Sequence, residues 1–168
     1  WGEQTSTDDS EGEVINYSNK IPIEEEIKRV VDNFIGLKDQ TPPNASAVKV
    51  NGKRAYKALR ENKKFSLKSK KVFLKSITFL SSNNSTSSFK IHCGKGFYVR
   101  SLARDIAFKL RTYGHVVELK RAKVGYFVEK SSILLDDMLK IGQSEFEFNC
   151  IHSSISMLDD ILAYEVEE

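Results

Sequence analysis

Apolar residues recur at helical spacing in two segments of the chain. In the first, the repeat runs from Ile23 to Phe34, with Pro22 at the expected helix start and Gly36 at the expected stop. The second predicted helix covers residues 98–111. Its inward-facing residues are expected to be Val99, Leu102, Ile106 and Leu110. A short helical segment through Tyr56 and Leu59 and short acidic helices after Phe127 are also expected.

Apolar and β-branched segments outside the two helices predict strands. The expected strands are Gly12–Tyr17, Ala45–Val50, Val72–Leu80, Phe89–Cys93 and His115–Phe127. A tight turn is expected at Asn51-Gly52, whereas Thr41-Pro42-Pro43 interrupts regular structure. Long antiparallel segments with interspersed helices indicate an α+β fold, with a mixed, mainly antiparallel sheet flanked by helices.

Length and composition describe a globular protein with one good core. The chain has 168 residues, of which 40% are hydrophobic and 29% charged. No apolar run reaches membrane-spanning length, and no signal peptide opens the sequence. Cys93 and Cys150 show no ligand spacing and the histidines are scattered, so we expect no metal site and a reduced, cytoplasmic location.

The net charge of +3 hides a strong partition along the chain. Residues 1–26 have a balance of −7 and residues 129–168 a balance of −8, whereas residues 27–128 carry 23 bases against five acids. A basic centre between acidic ends is typical of a surface that binds a polyanion, although solvated lysines would give the same count.

The basic residues are densest between Lys49 and Lys75, where eleven bases face Glu61 alone and aromatic residues are interleaved. Lysines on a protruding hairpin neutralise phosphates and add affinity with little sequence information. The candidate RNA-binding residues of the whole chain are Lys49, Lys53, Arg54, Tyr56, Arg60, Lys63, Lys64, Lys70, Lys71, Lys95, Arg104, Lys120 and Arg121.

A Gly-x-Gly turn at Gly94 and Gly96 leads into the second predicted helix. Free backbone N–H groups at a helix start, beside Lys95 and Arg100, suit a phosphate or a carboxylate, and Tyr98 offers a face on which a base can stack. The Gly-Lys-Ser/Thr ending of a nucleotide-triphosphate loop is missing.

Four ordered blocks closely resemble the TruB family of tRNA pseudouridine synthases and together cover about residues 1–127. The blocks are Gly2-Glu3-x-Thr5-x-Thr7-x-Asp9-x-x-Gly12, the segment from Gln40-Thr41-Pro42-Pro43 through Asn51-Gly52 to Tyr56, the segment Lys95–Asp105, and Leu119-Lys120-Arg121-x-x-Val124-Gly125. Phe97 and Lys120 depart from the usual threonine and arginine.

The resemblance implies isomerisation of a T-loop uridine of tRNA to pseudouridine, without metal or organic cofactor. In this family an aspartate acts on a flipped-out uridine, the glycosidic bond breaks, and the base rejoins through carbon. Arg100 would pair with that aspartate, and Tyr98 would pack on the uracil and assist catalysis. Leu119 would line the base pocket, and Asp9 would have a supporting role near it. The implied partner is the tRNA T-stem-loop, and no membrane partner is expected. The oligomeric state does not follow from the resemblance.

The family's catalytic aspartate lies in a Gly-Thr-Leu-Asp-Pro motif before the first matched block, and the printed sequence has no such motif. We therefore expect an incomplete pseudouridine synthase fold that is inactive by itself. Residues 1–130 would form part of the catalytic domain, with a basic RNA-gripping insertion at about 43–75, and residues 131–168 an acidic, truncated helical segment.

Two alternatives to an enzyme part stay open. One is a non-catalytic RNA-binding module, which an in-frame start near Trp1 would favour. The other is an unrelated basic DNA-binding domain, which would bind duplex DNA and tRNA equally well.

Overall fold

A computed structural model describes residues 1–50, 52–61 and 65–141. The strands are β1 (Glu3–Thr5), β2 (Val14–Tyr17), β3 (Gly36–Gln40), β4 (Lys49–Val50), β5 (Lys53–Arg54), β6 (Lys70–Ser82), β7 (Ser87–Cys93), β8 (Lys123–Val124) and β9 (Phe127–Val128). The helices are α1 (Glu24–Val31), α2 (Ala55–Arg60), α3 (Val99–Lys109) and α4 (Leu135–Ile141), with 3-10 turns at Asp32–Phe34 and Glu129–Ser131. Antiparallel sheets with helices confirm the α+β class.

The chain divides into two compact units, Trp1–Glu118 and Leu119–Glu168. The division into residues 1–130 and 131–168 stays a prediction, and most of its acidic segment lies outside the described residues. No helix in the described part of the chain is both long enough and apolar enough to cross a membrane.

The first unit is built on a three-stranded antiparallel sheet in the order β3-β6-β7. Val72 and Leu74 of β6 are buried, and a register irregularity after Leu74 brings Ile77 to the buried face as well. The two predicted long strands are confirmed by β6 and β7. Strand β3 was not predicted, because Leu37 is its only large apolar residue and that side chain is 62% exposed.

Helices α1 and α3 supply the rest of the core of this unit. The buried cluster consists of Ile27, Val31, Leu74, Ile77, Leu102, Ile106 and Leu110. Both predicted helices are confirmed, although Val99 is only half-buried. Gly36 does not end α1 directly: the helix passes into a 3-10 turn, and Gly36 opens β3 with a φ of +95°, a backbone conformation that suits glycine.

Two predicted strands were largely wrong. Only Lys49–Val50 of the expected strand Ala45–Val50 pairs, as β4 against β5, because the carbonyls of residues 45, 46 and 48 accept hydrogen bonds from α3 and α2 instead. The expected strand His115–Phe127 is mostly irregular, apart from an isolated bridge at Val116 and the short β8–β9 pair. Alternating apolar residues were not sufficient here to form a ladder.

Candidate functional site

Arg100 is held at the start of α3 by three hydrogen bonds. Its Nη1 donates to Oδ2 of Asp9 at 2.7 Å and to the Thr7 carbonyl at 3.1 Å, and its Nη2 donates to the Ala45 carbonyl at 3.0 Å. The Arg100 side chain is 28% exposed and the Asp9 side chain 21%. The sequence resemblance paired Arg100 with an aspartate that the chain does not contain; the pair with Asp9 was not expected.

The bonds to Arg100 leave part of its donor set free for another group. A guanidinium carries five N–H groups. Within the described residues three of them are bonded, so Nε–H and one N–H of Nη2 are available to a further acceptor. Arg100 is therefore a fixed cation with unused donors.

The loop between β1 and β2 fixes the position of Asp9. The Thr5 hydroxyl donates to the Asp9 carbonyl at 2.6 Å, and the Thr7 hydroxyl donates to Oδ1 of Asp9 at 2.5 Å. The Glu11 amide donates to the same Oδ1 at 3.1 Å. A Cβ added at Gly12 would lie 2.4 Å from the Thr7 hydroxyl and 2.8 Å from its amide, so only glycine fits there. The motif Thr-x-Thr-x-Asp-x-x-Gly thus fixes the Asp9 carboxylate in one position.

The pKa of Asp9 reflects two opposing effects. Burial by itself would raise it, but the hydrogen bonds from Thr7 and the Glu11 amide, with the hydrogen bond and charge of Arg100, together hold the pKa of Asp9 below its usual range. Asp9 is consequently an ionised partner of Arg100 at neutral pH.

We expect Asp9→Asn to remove a pH-dependent part of the folding stability. Because the pKa of Asp9 is lowered on folding, its stabilisation is present above about pH 4 and is lost as the pH falls through the folded-state pKa. The variant should be less stable by about 1–3 kcal/mol at neutral pH. Urea unfolding over an acidic pH series measures this difference, which should shrink on acidification.

Asp39→Asn is the control for this measurement, since Asp39 is an exposed carboxylate on β3. It should change stability little at any pH. A deficit of Asp9→Asn that stays constant on acidification would show that the carboxylate charge does not stabilise the loop.

Arg104, one turn after Arg100, bridges two carboxylates. Its Nη1 donates to Oδ2 of Asp8 at 2.8 Å, its Nε to Oδ1 of Asp105 at 3.0 Å, and its Nη2 to the Thr41 carbonyl at 2.9 Å. The Arg104 side chain is 13% exposed and that of Asp8 only 7%. Burial raises the pKa of both Asp8 and Asp105, and the charge of Arg104 opposes that rise.

The prediction that Arg104 contacts RNA phosphates is therefore corrected. All three nitrogens of its guanidinium are bonded within the protein, and its side chain is nearly buried. Its role in the structure is to tie α3 to the β1–β2 loop and to Thr41. Asp8 gave no signal in the sequence for this contact.

Residues 40–46 form a platform beneath the start of α3, and hereafter this segment is called the platform. Gln40 bonds the backbone of Tyr98, and the Thr41 carbonyl accepts from the Ser101 hydroxyl at 2.8 Å as well as from Arg104. Pro42 and Pro43 are fully buried. The motif that begins Gln-Thr-Pro-Pro therefore contacts the matched segment Lys95–Asp105 at the start of α3.

Tyr98 is the residue before the first turn of α3 and is half-buried. The Gly-x-Gly turn precedes it, with Gly96 at a φ of +76° and Lys95 exposed. The sequence predicted free backbone N–H groups here for an anion. The structure corrects this for the Tyr98 amide, which donates to the side chain of Gln40 at 2.9 Å.

The other candidate basic residues are mostly on the surface. Lys49 and Arg54 face each other across the β4–β5 hairpin, and Lys70 and Lys71 lie exposed on β6. Arg60 stacks over the ring of Tyr56, with the guanidinium carbon 5.7 Å from the ring centre. Lys63 and Lys64 lie outside the described residues, as does the side chain of Lys53.

The candidates Leu119, Lys120 and Arg121 belong to the second unit. Leu119 is 55% exposed, and the Lys120 ammonium lies 2.7 Å from Oε1 of Glu129. Arg121 is exposed. The predicted meeting of Leu119 with Tyr98 in one base pocket stays a prediction. Over residues 1–50, 52–61 and 65–141, no group of three His, Cys, Asp or Glu residues is arranged to hold a metal ion.

Comparison with known families identifies the lineage of the chain. Residues 1–99 match the profile of the TruB family pseudouridylate synthase (N terminal domain), and residues 100–163 match that of the tRNA pseudouridylate synthase B C-terminal domain. The chain belongs to the TruB family. Its acidic C-terminal segment is largely within the second match.

Proteins named tRNA pseudouridine synthase B are among its similar relatives. The one from Ehrlichia ruminantium is 47% identical over 82% of this chain, and the one from Rickettsia conorii is 39% identical over the whole chain. These alignments cover 47% and 49% of the relatives, so the chain spans about half the length of the curated relatives it matches.

A solved structure shares the fold. A chain of a Cbf5-Nop10-Gar1 complex matches 73% of this chain and 32% of its own length, with a TM-score of 0.56 and 28% sequence identity. This similarity confirms the predicted pseudouridine synthase fold.

Proposed function

We propose that this chain supplies the arginine- and tyrosine-bearing part of an enzyme that isomerises a T-loop uridine of tRNA to pseudouridine. Membership in the TruB family supports the reaction class. The observation that carries the proposal is Arg100, which is half-buried, ion-paired with Asp9 and still has two N–H groups to offer.

Arg100 is suited to hold a second carboxylate in its ionised form. An arginine beside a carboxylate lowers the pKa of that carboxylate by about 1–3 units. The Gly-Thr-Leu-Asp-Pro aspartate of the family would approach the unused N–H groups and stay ionised for attack on the flipped-out uridine. Asp9 would then act as a positioning residue, because it fixes the guanidinium.

Tyr98 would contact the uracil. Tyr98 lies two residues after Gly96 and two residues before Arg100, so its ring and the guanidinium leave the chain at the same end of α3. Taking a uridine out of a loop costs a few kcal/mol, less than from a duplex, and stacking on an aromatic ring offsets part of that cost.

Phosphate contacts from the basic surface would supply binding energy for the tRNA. The exposed bases at Lys49, Arg54, Lys70, Lys71 and Lys95 are suited to this, because phosphate contacts position a nucleic acid without reading its sequence. Preference for the T-stem-loop would then come from the base pocket rather than from these basic residues.

A chimera tests the reaction. Residues 1–168 would replace the matching segment of the Ehrlichia ruminantium relative, whose upstream part is expected to supply the Gly-Thr-Leu-Asp-Pro motif. The chimera should form pseudouridine in a T-stem-loop transcript, whereas the 168-residue chain alone should form none. An inactive but folded chimera that still binds tRNA would favour the non-catalytic RNA-binding alternative. Equal affinity for duplex DNA would favour a general nucleic-acid-binding domain.

Replacing four exposed bases with alanine should weaken tRNA binding by more than tenfold. The bases are Lys49, Arg54, Lys70 and Lys71. Each lost phosphate contact reduces the slope of log affinity against log salt concentration by about 0.7–0.9, so a slope change of about 3 is expected if all four make contact. Filter binding or fluorescence anisotropy at several salt concentrations measures the slope.

A charge-matched variant controls for net charge. Lys28, Arg29, Lys109 and Arg111 are exposed bases on α1 and at the end of α3. Their joint replacement with alanine should leave the salt slope nearly unchanged. Equal slopes in the two variants would show that Lys49, Arg54, Lys70 and Lys71 do not belong to the proposed interface.

A further inference from the structure

The side chain of Gln40 joins the end of β3 to the backbone of Tyr98 by two hydrogen bonds. Its Nε2 donates to the Tyr98 carbonyl at 3.0 Å, and its Oε1 accepts from the Tyr98 amide at 2.9 Å. Gln40 is 5% exposed, and its own backbone is paired with Lys70 in the sheet. One buried side-chain amide therefore bonds both main-chain polar groups of a residue 58 positions away in the sequence.

We infer that Gln40 is the positioning residue for Tyr98, fixing its backbone so that the ring meets the uracil, an inference that rests on the function proposed above. None of the atoms of Gln40 needs to touch the substrate for this role. Its contribution is the direction in which the Tyr98 ring leaves the main chain.

The local backbone of Tyr98 explains why hydrogen bonds from Gln40 are needed to fix its conformation. Tyr98 is extended, with φ −107° and ψ 107°, between the Gly-x-Gly turn and the first turn of α3. Gly96 adopts a φ of +76°, and glycine has more accessible conformations than any other residue, so the turn by itself does not define one direction. On the helical side the Tyr98 carbonyl also accepts from the Leu102 amide at 3.1 Å. Gln40 adds a second bond to this carbonyl and a bond to the Tyr98 amide, which faces the Gly-x-Gly turn.

The chemistry requires a group that donates and accepts at the same time. A glutamine amide does both. An ionised glutamate could still accept from the Tyr98 amide, but it would set a carboxylate oxygen against the Tyr98 carbonyl. A protonated glutamate restores the donor. Methionine has nearly the same length and makes neither bond.

The test compares Gln40→Met and Gln40→Glu in the chimera. Gln40→Met should lower kcat for pseudouridine formation by about 10–100-fold, because a displacement of about 1 Å at a reacting centre can cost that much. The tRNA dissociation constant should change less than about threefold. Gln40→Glu should be equally slow at neutral pH and should regain activity relative to wild type as the pH is lowered, since burial favours the protonated carboxyl.

Gln40→Met is also the reference for the pH profile. Lys38, Asp39, Asp105 and Lys109 line the same cavity as Gln40, and both variants keep these neighbours. Recovery in acid that is confined to Gln40→Glu therefore reports the new carboxyl itself. Amide hydrogen exchange of Tyr98 should accelerate in Gln40→Met and follow the same pH recovery in Gln40→Glu.

Ile106→Val controls for a loss of stability without a loss of positioning. Ile106 is 2% exposed further along α3, and the change should lower Tm by a few degrees while kcat stays within about twofold. An active wild-type chimera with normal kcat in both Gln40 variants overturns this inference and leaves the proposed function intact. A folded but inactive wild-type chimera overturns the proposed function and, with it, the role of Gln40.

Discussion

Replacing Arg100 with methionine should lower the rate of pseudouridine formation by the chimera by about 10²–10³-fold. Methionine keeps much of the apolar stem but removes the charge that Asp9 contacts at 2.7 Å and the N–H groups proposed for the second carboxylate. Binding of tRNA should weaken only severalfold, because most of its affinity is expected from exposed bases elsewhere. Single-turnover rates and equilibrium binding on the same T-stem-loop transcript separate the two effects.

Arg29→Met is the matched control. Arg29 is exposed on α1, and its Nε donates to the Glu25 carbonyl at 3.2 Å within the same helix. This variant should keep the wild-type rate. A near-normal rate in Arg100→Met would show that the guanidinium does not serve the reaction, and the proposed pairing with a catalytic aspartate would be withdrawn.

The largest effect on stability is expected for Arg104→Met. The change leaves the Asp8 carboxylate, 7% exposed, without its partner, and also removes the bonds to Asp105 and to the Thr41 carbonyl. Removing one member of a buried ion pair costs about 3–5 kcal/mol, mainly because the other charge stays buried. Urea unfolding of the 168-residue chain at neutral pH measures the loss.

The pH dependence identifies the cause of that loss. The pKa of Asp8 is raised by burial, so protonated Asp8 favours folding at low pH and this contribution is lost as the pH rises through the folded-state pKa. Without Arg104 the pKa of Asp8 should rise further, because the opposing positive charge is gone. The deficit of Arg104→Met should therefore shrink on acidification towards about pH 4.

Two companion variants complete the experiment. Asp8→Asn combined with Arg104→Met should recover part of the lost stability, since no uncompensated charge remains. Lys28→Met, which removes an exposed ion pair with Glu24, should cost less than about 1 kcal/mol. A loss in Arg104→Met no larger than in Lys28→Met would contradict the buried network.

The sequence predicted α1 and α3 because each has a long apolar repeat at helical spacing. The residues of these repeats form the core together with β6. It missed β3, since a strand with one large apolar residue depends on its partner β6 rather than on its own pattern. It also predicted a strand at His115–Phe127 that is mostly irregular. The apolar residues Val117 and Leu119 of that segment are more than half exposed, so they drive no pairing.

The candidate site was predictable as a set of motifs but not as a set of contacts. Motif resemblance identified Arg100, Asp9 and Tyr98, yet gave no indication that Arg100 bonds Asp9 or that Gln40 bonds Tyr98. Such contacts join residues 91 and 58 positions apart, and their geometry depends on how the sheet and α3 pack. Arg104 was predicted to bind RNA because it lies one helical turn from Arg100, and neighbouring basic residues suggest phosphate binding. Its burial, which argues against that role, cannot be read from the sequence.

The platform holds both arginines through main-chain oxygens. Arg100 is bonded to the Ala45 carbonyl and Arg104 to the Thr41 carbonyl, so neither contact depends on which side chain occupies those two positions. The requirement falls instead on the path of the backbone, which two buried prolines restrict by fixing φ and by removing two N–H donors. Substitution at Thr41 or Ala45 is thus compatible with unchanged positions of the two guanidinium groups, whereas a change in the backbone path at Pro42 and Pro43 would move both cations at once.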